Sequence, residues 1–139
     1  MANVVPYAFP VELLSGTHNF ASDTFKLALY TASPYTTAST VYDATSETTG
    51  TEYSAGGNTL TGNAVSNVAN YATVDFTDSV WGSPTPATFS AAYGAIYNSS
   101  ASNKLVVILD FGGTKSCSNG TFTVTFPSPT SGSPSGADA

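Results

Sequence analysis

Residues 104–111, Lys104-Leu105-Val106-Val107-Ile108-Leu109-Asp110-Phe111, are apolar at both alternating sets of positions. Successive side chains of a strand point to opposite faces, so this run predicts a strand that is buried on both faces and central in its sheet. Residues 121–126, Thr121-Phe122-Thr123-Val124-Thr125-Phe126, alternate strictly between polar and apolar. They predict a half-buried strand with its phenylalanines and valine inward. The Ser-, Gly- and Asn-rich residues 112–120 between the two runs predict a turn.

Shorter alternating runs earlier in the chain predict strands over residues 24–31, 72–76 and 87–97, with short ordered pieces near 41–42 and 58–61. Residues 78–86 are rich in Gly and Pro and predict a loop. About seven short strands separated by turn signals indicate an all-β fold, an antiparallel β-sandwich of the immunoglobulin-like or jelly-roll (Greek-key) type. The predicted core consists of Phe25, Leu27, Leu29, Val74, Phe76, Val106, Ile108, Phe122, Val124 and Phe126.

The 139 residues predict one domain, residues 17–126, between two terminal segments. Residues 1–16 are predicted to be an extended N-terminal arm, because Pro6 and Pro10 disfavour a regular helix, with one helical turn over residues 11–16 as the alternative. Residues 127–139, rich in Pro and Ser, predict a flexible tail with too little apolar surface to offset the entropy of ordering. The arm needs cover from its own domain or from a neighbouring subunit, so its apolar residues are the candidate partner contacts: Val4, Val5, Tyr7, Phe9, Val11, Leu13 and Leu14.

The composition restricts the chemistry available to the chain. It has one histidine, one cysteine, three lysines without any arginine, and a formal net charge of −6. Nucleic acids and anionic membranes are unsuitable partners, because binding them takes several cationic side chains. Catalysis takes a nucleophile, a base and a group that stabilises charge, so we expect no enzyme, no catalytic residue, no metal and no cofactor. Abundant Ser, Thr and Asn give a neutral surface, and desolvating its hydroxyls and amides costs less free energy than desolvating charges. Such a surface is typical of a subunit covered by neighbours.

Two groups of acidic residues are candidate sites. Asp75 and Asp78 lie near Trp81 and could form a weak calcium site or an acid/base pair, but turn-capping carboxylates are favoured. Asp43, Glu47 and Glu52 lack the spacing of a calcium loop, and a solvated loop is favoured for them.

The remaining candidates are single residues or aromatic groups. His18 has no nucleophile in a recognisable context and is predicted to make a turn or capping hydrogen bond. Cys117 is predicted to be a free thiol in a loop. Tyr35, Tyr42 and Tyr53 could form a face that binds a sugar or a protein, but core and rim positions are favoured. Residues 1–6 lack the features of a signal peptide, so we expect synthesis in a cytosol without export.

Several stretches, taken in order, resemble those of a known group of proteins. They include His18-Asn19-Phe20-Ala21-Ser22-Asp23, Gly50-Thr51-Glu52-Tyr53-Ser54-Ala55-Gly56-Gly57-Asn58, Tyr93-Gly94-Ala95-Ile96-Tyr97-Asn98 and Leu109-Asp110-Phe111-Gly112-Gly113. The chain resembles small proteins encoded in the structural-gene regions of tailed bacteriophages and prophages, over roughly residues 17–126. The likeness is a whole-chain pattern without a catalytic motif. It implies a virion structural component with the major capsid protein or other virion proteins as partners.

Three functions follow as hypotheses. The first is a capsid decoration (cement) protein, a homo-oligomer for which a trimer is favoured because it suits three-fold positions of a capsid. The second is a small tail, neck or fibre subunit. The third belongs to another class, a carbohydrate-binding β-sandwich with Trp81 and the tyrosines as its platform.

Overall fold

The computed structural model describes residues 3–68 and 71–126, so the predicted tail 127–139 and the first two residues of the arm lie outside the described residues. The described part contains one short helix and eight strands, and every pair of strands is antiparallel. The all-β prediction is confirmed. The elements are α1 (Ala8–Leu14), β1 (Phe25–Tyr30), β2 (Asn58–Thr59), β3 (Ala64–Val68), β4 (Tyr71–Asp75), β5 (Ser79–Trp81), β6 (Ala87–Asn98), β7 (Lys104–Gly120) and β8 (Phe122–Val124).

The strands form three sheets. The main sheet has the order β2-β1-β6-β7, and β3-β4 and β5-β8 are separate two-stranded pairs. These sheets are not closed on one another. The antiparallel sheets agree with the all-β prediction, but this arrangement does not confirm a two-sheet sandwich. The prediction that residues 104–111 are central is wrong, because β7 is at the end of its sheet. Backbone bridges from Val41 to Lys104 and from Val4 to Ile108 cover part of that outer edge.

The strand β7 is much longer than its apolar run, and the predicted turn over residues 112–120 is wrong. Residues 115–120 continue the ladder with β6, with Phe89 opposite Cys117 and Ala91 opposite Lys115. Between Ala91 and Tyr93 on β6, the facing strand advances from Lys115 to Asp110, so it carries extra residues there. Gly112, with φ at +76°, lies in this bulge. A polar segment can remain a strand here because β6 supplies hydrogen-bonding partners along its length.

The main sheet has a core on each face. Phe25, Leu27 and Leu29 of β1 belong to the larger cluster, whereas Ala28 and Tyr30 belong to a second cluster. The predicted core is confirmed for nine of its ten residues, which are buried, and Val74 is half-buried against the larger cluster. Ile108 lies in the second cluster. Alternation along β1 therefore places both of its faces in contact with apolar side chains.

The arm is not extended throughout. Val4 is extended and pairs with Ile108 through two backbone hydrogen bonds of 2.8 Å, but residues 8–14 form α1. Pro10 is tolerated because it occupies the first turn, where backbone N–H groups have no intrahelical acceptor. The extended-arm prediction is therefore wrong over α1.

Two side chains predicted to lie in loops are buried in strands. Trp81 ends β5, which pairs with β8 from Ser79 opposite Val124 to Trp81 opposite Phe122, and its side chain is 3% exposed. Cys117 lies in β7 and is buried. The Gly/Pro signal near Trp81 marks the turn that follows β5 rather than the segment that contains it.

Candidate functional site

One side of α1 presents an apolar stripe to solvent. Tyr7, Val11 and Leu14 are spaced i, i+4 and i+7, and are 71%, 68% and 90% exposed. Residues at this spacing lie on one side of a helix. We call these three residues the outer stripe. A helix that packs on its own domain normally turns such residues inward, so the outer stripe is reversed relative to that pattern.

The other side of α1 packs on the domain and carries the helix's charge. The ring centroid of Phe9 lies 5.2 Å from that of His18 and 6.0 Å from that of Phe20. Glu12 places Oε1 3.0 Å from His18 Nε2 and Oε2 3.6 Å from Lys104 Nζ. The acid of α1 therefore faces the protein while its apolar stripe faces water.

His18 links α1 to β6. Its side chain is buried, and Nδ1 lies 3.0 Å from the amide nitrogen of Asn98, which can only donate. Nδ1 is thus the acceptor, and Nε2–H donates to Glu12. The same Asn98 amide also donates to Asp23 Oδ2 at 2.8 Å. This bond and the backbone N–H of Asn19 hold the pKa of Asp23 below its usual value.

The prediction of a turn or capping role for His18 is wrong. Its hydrogen bonds go to Glu12 and Asn98, and among the described residues it bonds to no hydroxyl or thiol nucleophile. The arrangement anchors α1 through a fully satisfied buried network. Sequence reasoning missed the network because Asn98, which joins His18 and Asp23, is 80 residues from His18 in the chain.

An apolar groove lies beside α1. It has a volume of about 550 Å³ and runs between the arm and the β3-β4 hairpin, with Val106 and Val107 of β7 at its floor. Val5, Leu13 and Val65 line it and are 51%, 43% and 58% exposed. No charged side chain lines it among the described residues. We call this the arm groove.

The outer stripe and the arm groove account for most exposed apolar side chains. Six of the eight large hydrophobic residues that are exposed in the described part of the chain belong to them: Val5, Tyr7, Val11, Leu13, Leu14 and Val65. Large apolar side chains exposed together on one part of a protein typically mark an interaction site. Of the candidate contacts, Val4 and Phe9 instead pack against their own chain. The other five are exposed.

Glu47 organises a second polar cluster. Its Oε1 accepts from the Tyr42 hydroxyl at 2.5 Å, and its Oε2 accepts from the Tyr53 hydroxyl at 2.6 Å and from the Gly56 N–H at 2.7 Å. The prediction of a solvated loop is therefore wrong for Glu47, although Asp43 and Glu52 are exposed. Tyr42 and Tyr53, which lie five and six residues from Glu47 on either side in the chain, hold this carboxylate inward.

Tyrosines around this cluster are structural donors. The hydroxyls of Tyr30 and Tyr35 lie 2.5 Å apart, and each reaches the carbonyl of Asp43. Tyr97 donates to the carbonyl of Gly56 at 2.6 Å. Burial and then the nearby Glu47 charge raise the pKa of Tyr97 to about 12, and burial likewise raises the pKa of Tyr30. The phenols thus remain protonated hydrogen-bond donors.

The other candidate groups form no site. Asp75 Oδ1 accepts from the N–H of Phe76, its neighbour in the chain, and Asp78 Oδ1 accepts from the N–H of Phe126, each at 2.9 Å. The turn-capping prediction is wrong for Asp78, because its bond joins segments 48 residues apart. Trp81 lies in the core and cannot offer its face to a sugar. No cluster of three His, Cys, Asp or Glu side chains suited to a metal ion occurs within residues 3–68 and 71–126.

Comparison of the chain with protein-family models, curated proteins and solved structures finds no match. The only helix in the described ranges is α1, which has seven residues. No helix in those ranges is long and apolar enough to cross a membrane.

Proposed function

We propose that this chain is a structural protein of a tailed-bacteriophage virion, namely a capsid decoration (cement) protein that stabilises the assembled head and has no enzymatic role. The observation that carries the proposal is the reversed helix α1. Its acid points into the protein toward His18 and Lys104, while Tyr7 and Leu14 stand in solvent. Such a helix is stable in water only at a cost, which a partner chain removes by covering the stripe.

The composition supports the same role. Charged residues make up 9% of the chain, so its surface relies on hydroxyls and amides, which lose less free energy than charges when they are desolvated. The resemblance to small phage structural proteins supports a virion setting. We also propose that the domain is a β-sandwich, in which the β5-β8 pair packs as a second layer on the main sheet.

Stabilisation would arise by mass action. A protein that binds the intact shell but not its separated subunits shifts the equilibrium toward the shell. As a homo-oligomer, with a trimer suited to three-fold positions, it would bind through several arms at once, so each contact can be weak. The major capsid protein would be its partner.

Binding to undecorated shells tests this role. Because the outer stripe is uncharged, we expect the affinity to change by less than about threefold between ~50 mM and ~500 mM salt, where charge-driven association weakens much more. Leu14→Asp should reduce binding strongly, whereas Val80→Asp, an exposed β5 position, should not.

Loss of wild-type binding at moderate salt would contradict the contact chemistry. Binding to tails or baseplates in place of shells would favour a tail, neck or fibre subunit, the second candidate that the same arm surface allows. Copy number separates these roles, since a decoration protein is present in far more copies than a tail component.

A further inference from the structure

We propose that the free edge of β8 is a docking site for an extended peptide of another protein. The peptide adds to β8 as a strand, with apolar side chains at alternate positions and a carboxylate that pairs with Lys115. The residues that line this site are not shared with the outer stripe or the arm groove. The inference therefore goes beyond the proposed function, and either one can fail without the other.

One edge of β8 is paired and the other is free. β8 pairs with β5 alone, and just beyond it the N–H of Phe126 donates to Oδ1 of Asp78, the residue before β5. The backbone groups of alternate residues point to opposite edges of a strand, so those of Thr121, Thr123 and Thr125 point away from β5. In agreement, neither Thr121 nor Thr125 makes a backbone hydrogen bond within residues 3–68 and 71–126.

A cleft of about 590 Å³ runs along this free edge. Residues 121–125 form one wall, and the opposite wall is β7 with Leu109, Phe111 and Lys115. The ring centroid of Phe111 lies 6.4 Å from that of Phe122. The cleft thus combines an unpaired strand edge with apolar side chains beside it.

The facing edge of β7 is also uncovered along the cleft. The arm covers that edge at Ile108 and at Asp110, whose N–H donates to Asn3. Past Asp110 no bridge to it occurs in the described part of the chain. A strand added to β8 would therefore extend the β5-β8 pair toward β7. Every second side chain of that strand would face Leu109 and Phe111, and the others would face solvent.

The backbone of β8 selects the class of partner. Its free N–H and C=O groups recur every second residue, about 7 Å apart along the edge. Another extended chain matches this spacing and can satisfy both the donors and the acceptors, which an apolar surface without backbone groups cannot. The partner is therefore a peptide strand rather than any apolar body that fits the cleft.

Charge favours a foreign peptide over a second copy of β8. Lys115 is exposed and forms no ion pair within the described ranges. Asp110 also lines the cleft, but its Oδ1 accepts from the N–H of Gly112. A carboxylate on the incoming strand would pair with Lys115, whereas residues 121–126 of a second copy contain no acid to supply one.

The test titrates the full-length chain with a synthetic peptide and follows binding by NMR. The probe is blocked at both ends and alternates threonine with valine over about six residues, a usual strand length, between two terminal glutamates. We expect a Kd below about 1 mM. The amides of Thr123 and Thr125 should exchange with solvent at least about tenfold more slowly in the complex, because they become hydrogen-bonded.

Two substitutions at Thr123 isolate the strand edge. Thr123→Pro removes the N–H that faces the cleft and leaves the bonds to β5, and proline is tolerated where a strand's N–H faces solvent. It should weaken binding at least about tenfold. Thr123→Val loses the same hydroxyl but keeps the N–H, so its Kd should stay within about twofold of the wild-type value. Circular dichroism checks that both variants fold.

Two altered probes test the partner's chemistry without changing the protein. A probe methylated on its backbone nitrogens cannot donate to β8 and should not bind. A probe with glutamines in place of the glutamates should bind about threefold more weakly, although the net charge of −6 alone would favour it. Lys115→Gln should remove this difference between the two probes.

Several results would overturn the proposal. These are no binding of the first probe at ~5 mM, equal binding by Thr123→Pro and Thr123→Val, and equal binding of the methylated probe. A wild-type chain that self-associates, and that Thr123→Pro makes monomeric, would assign the edge to a second copy and would also overturn it.

Discussion

Replacement of Ile108 by Asp is expected to abolish soluble folding. Ile108 is 1% exposed, and its backbone exchanges two hydrogen bonds with Val4, so the position is closed on every side. An unpaired carboxylate there loses its hydration without gaining a partner, at a cost of several kcal/mol. The free energy of unfolding of a domain is only about 5–15 kcal/mol, so one such change can remove most of it.

Two controls make the experiment specific. Ile108→Val removes one methylene and should cost only about 1 kcal/mol. Thr123→Asp places the same charge on an exposed strand position and should leave a soluble, cooperative protein. Soluble yield and urea unfolding followed by circular dichroism report the result. A soluble, cooperatively unfolding Ile108→Asp variant would refute the packing described for β7.

Replacement of Gly57 by Ala is expected to be the next most damaging change. Gly57 has φ at +78°, and a Cβ atom there would lie 1.8 Å from the carbonyl oxygen of Leu27. That oxygen belongs to β1 at the point where β1 pairs with β2, so relief requires the backbone to move. The change should cost several kcal/mol, the range of the more damaging single substitutions.

Gly112→Ala isolates the contribution of the clash. Gly112 has nearly the same φ, +76°, but a Cβ atom there would meet nothing within 4 Å. Gly112→Ala should therefore lower the free energy of unfolding only by the strain of placing Ala in the left-handed region, about 1–2 kcal/mol. In a domain of this size ~1 kcal/mol shifts the melting temperature by about 3–5 °C. Equal losses of melting temperature for the two variants would show that the close approach of Gly57 to β1 is not maintained.

Strict alternation predicts strands well in this chain, because period-two patterning reports directly on burial. The inward phenylalanines and valine of residues 121–126 are buried, and residues 87–97 form β6 almost as predicted. Turn composition predicts less well. Residues 112–120 have the composition of a turn, but a neighbouring strand decides their conformation, and that neighbour is not visible locally.

The sequence identifies the residues of the candidate surface, but it does not predict that they form a helix with its acid turned inward. The arm's apolar side chains are evident from sequence, and the i, i+4, i+7 spacing of Tyr7, Val11 and Leu14 is consistent with a helix. Pro10 outweighs that spacing unless its position in the first turn is known. The inward direction of Glu12 depends on His18 and Lys104, which only the folded chain brings together.

The claim that the arm surface is covered by another chain is tested most directly by thiol labelling at position 14. A Leu14→Cys variant offers an exposed thiol, whereas the native Cys117 is 8% exposed. In assembled particles the new thiol should react with a maleimide at least about tenfold more slowly than in the dissociated chain, because burial excludes the reagent. The control Val80→Cys should react at similar rates in both states. Equal rates for Leu14→Cys in particles and in the dissociated chain would contradict the account.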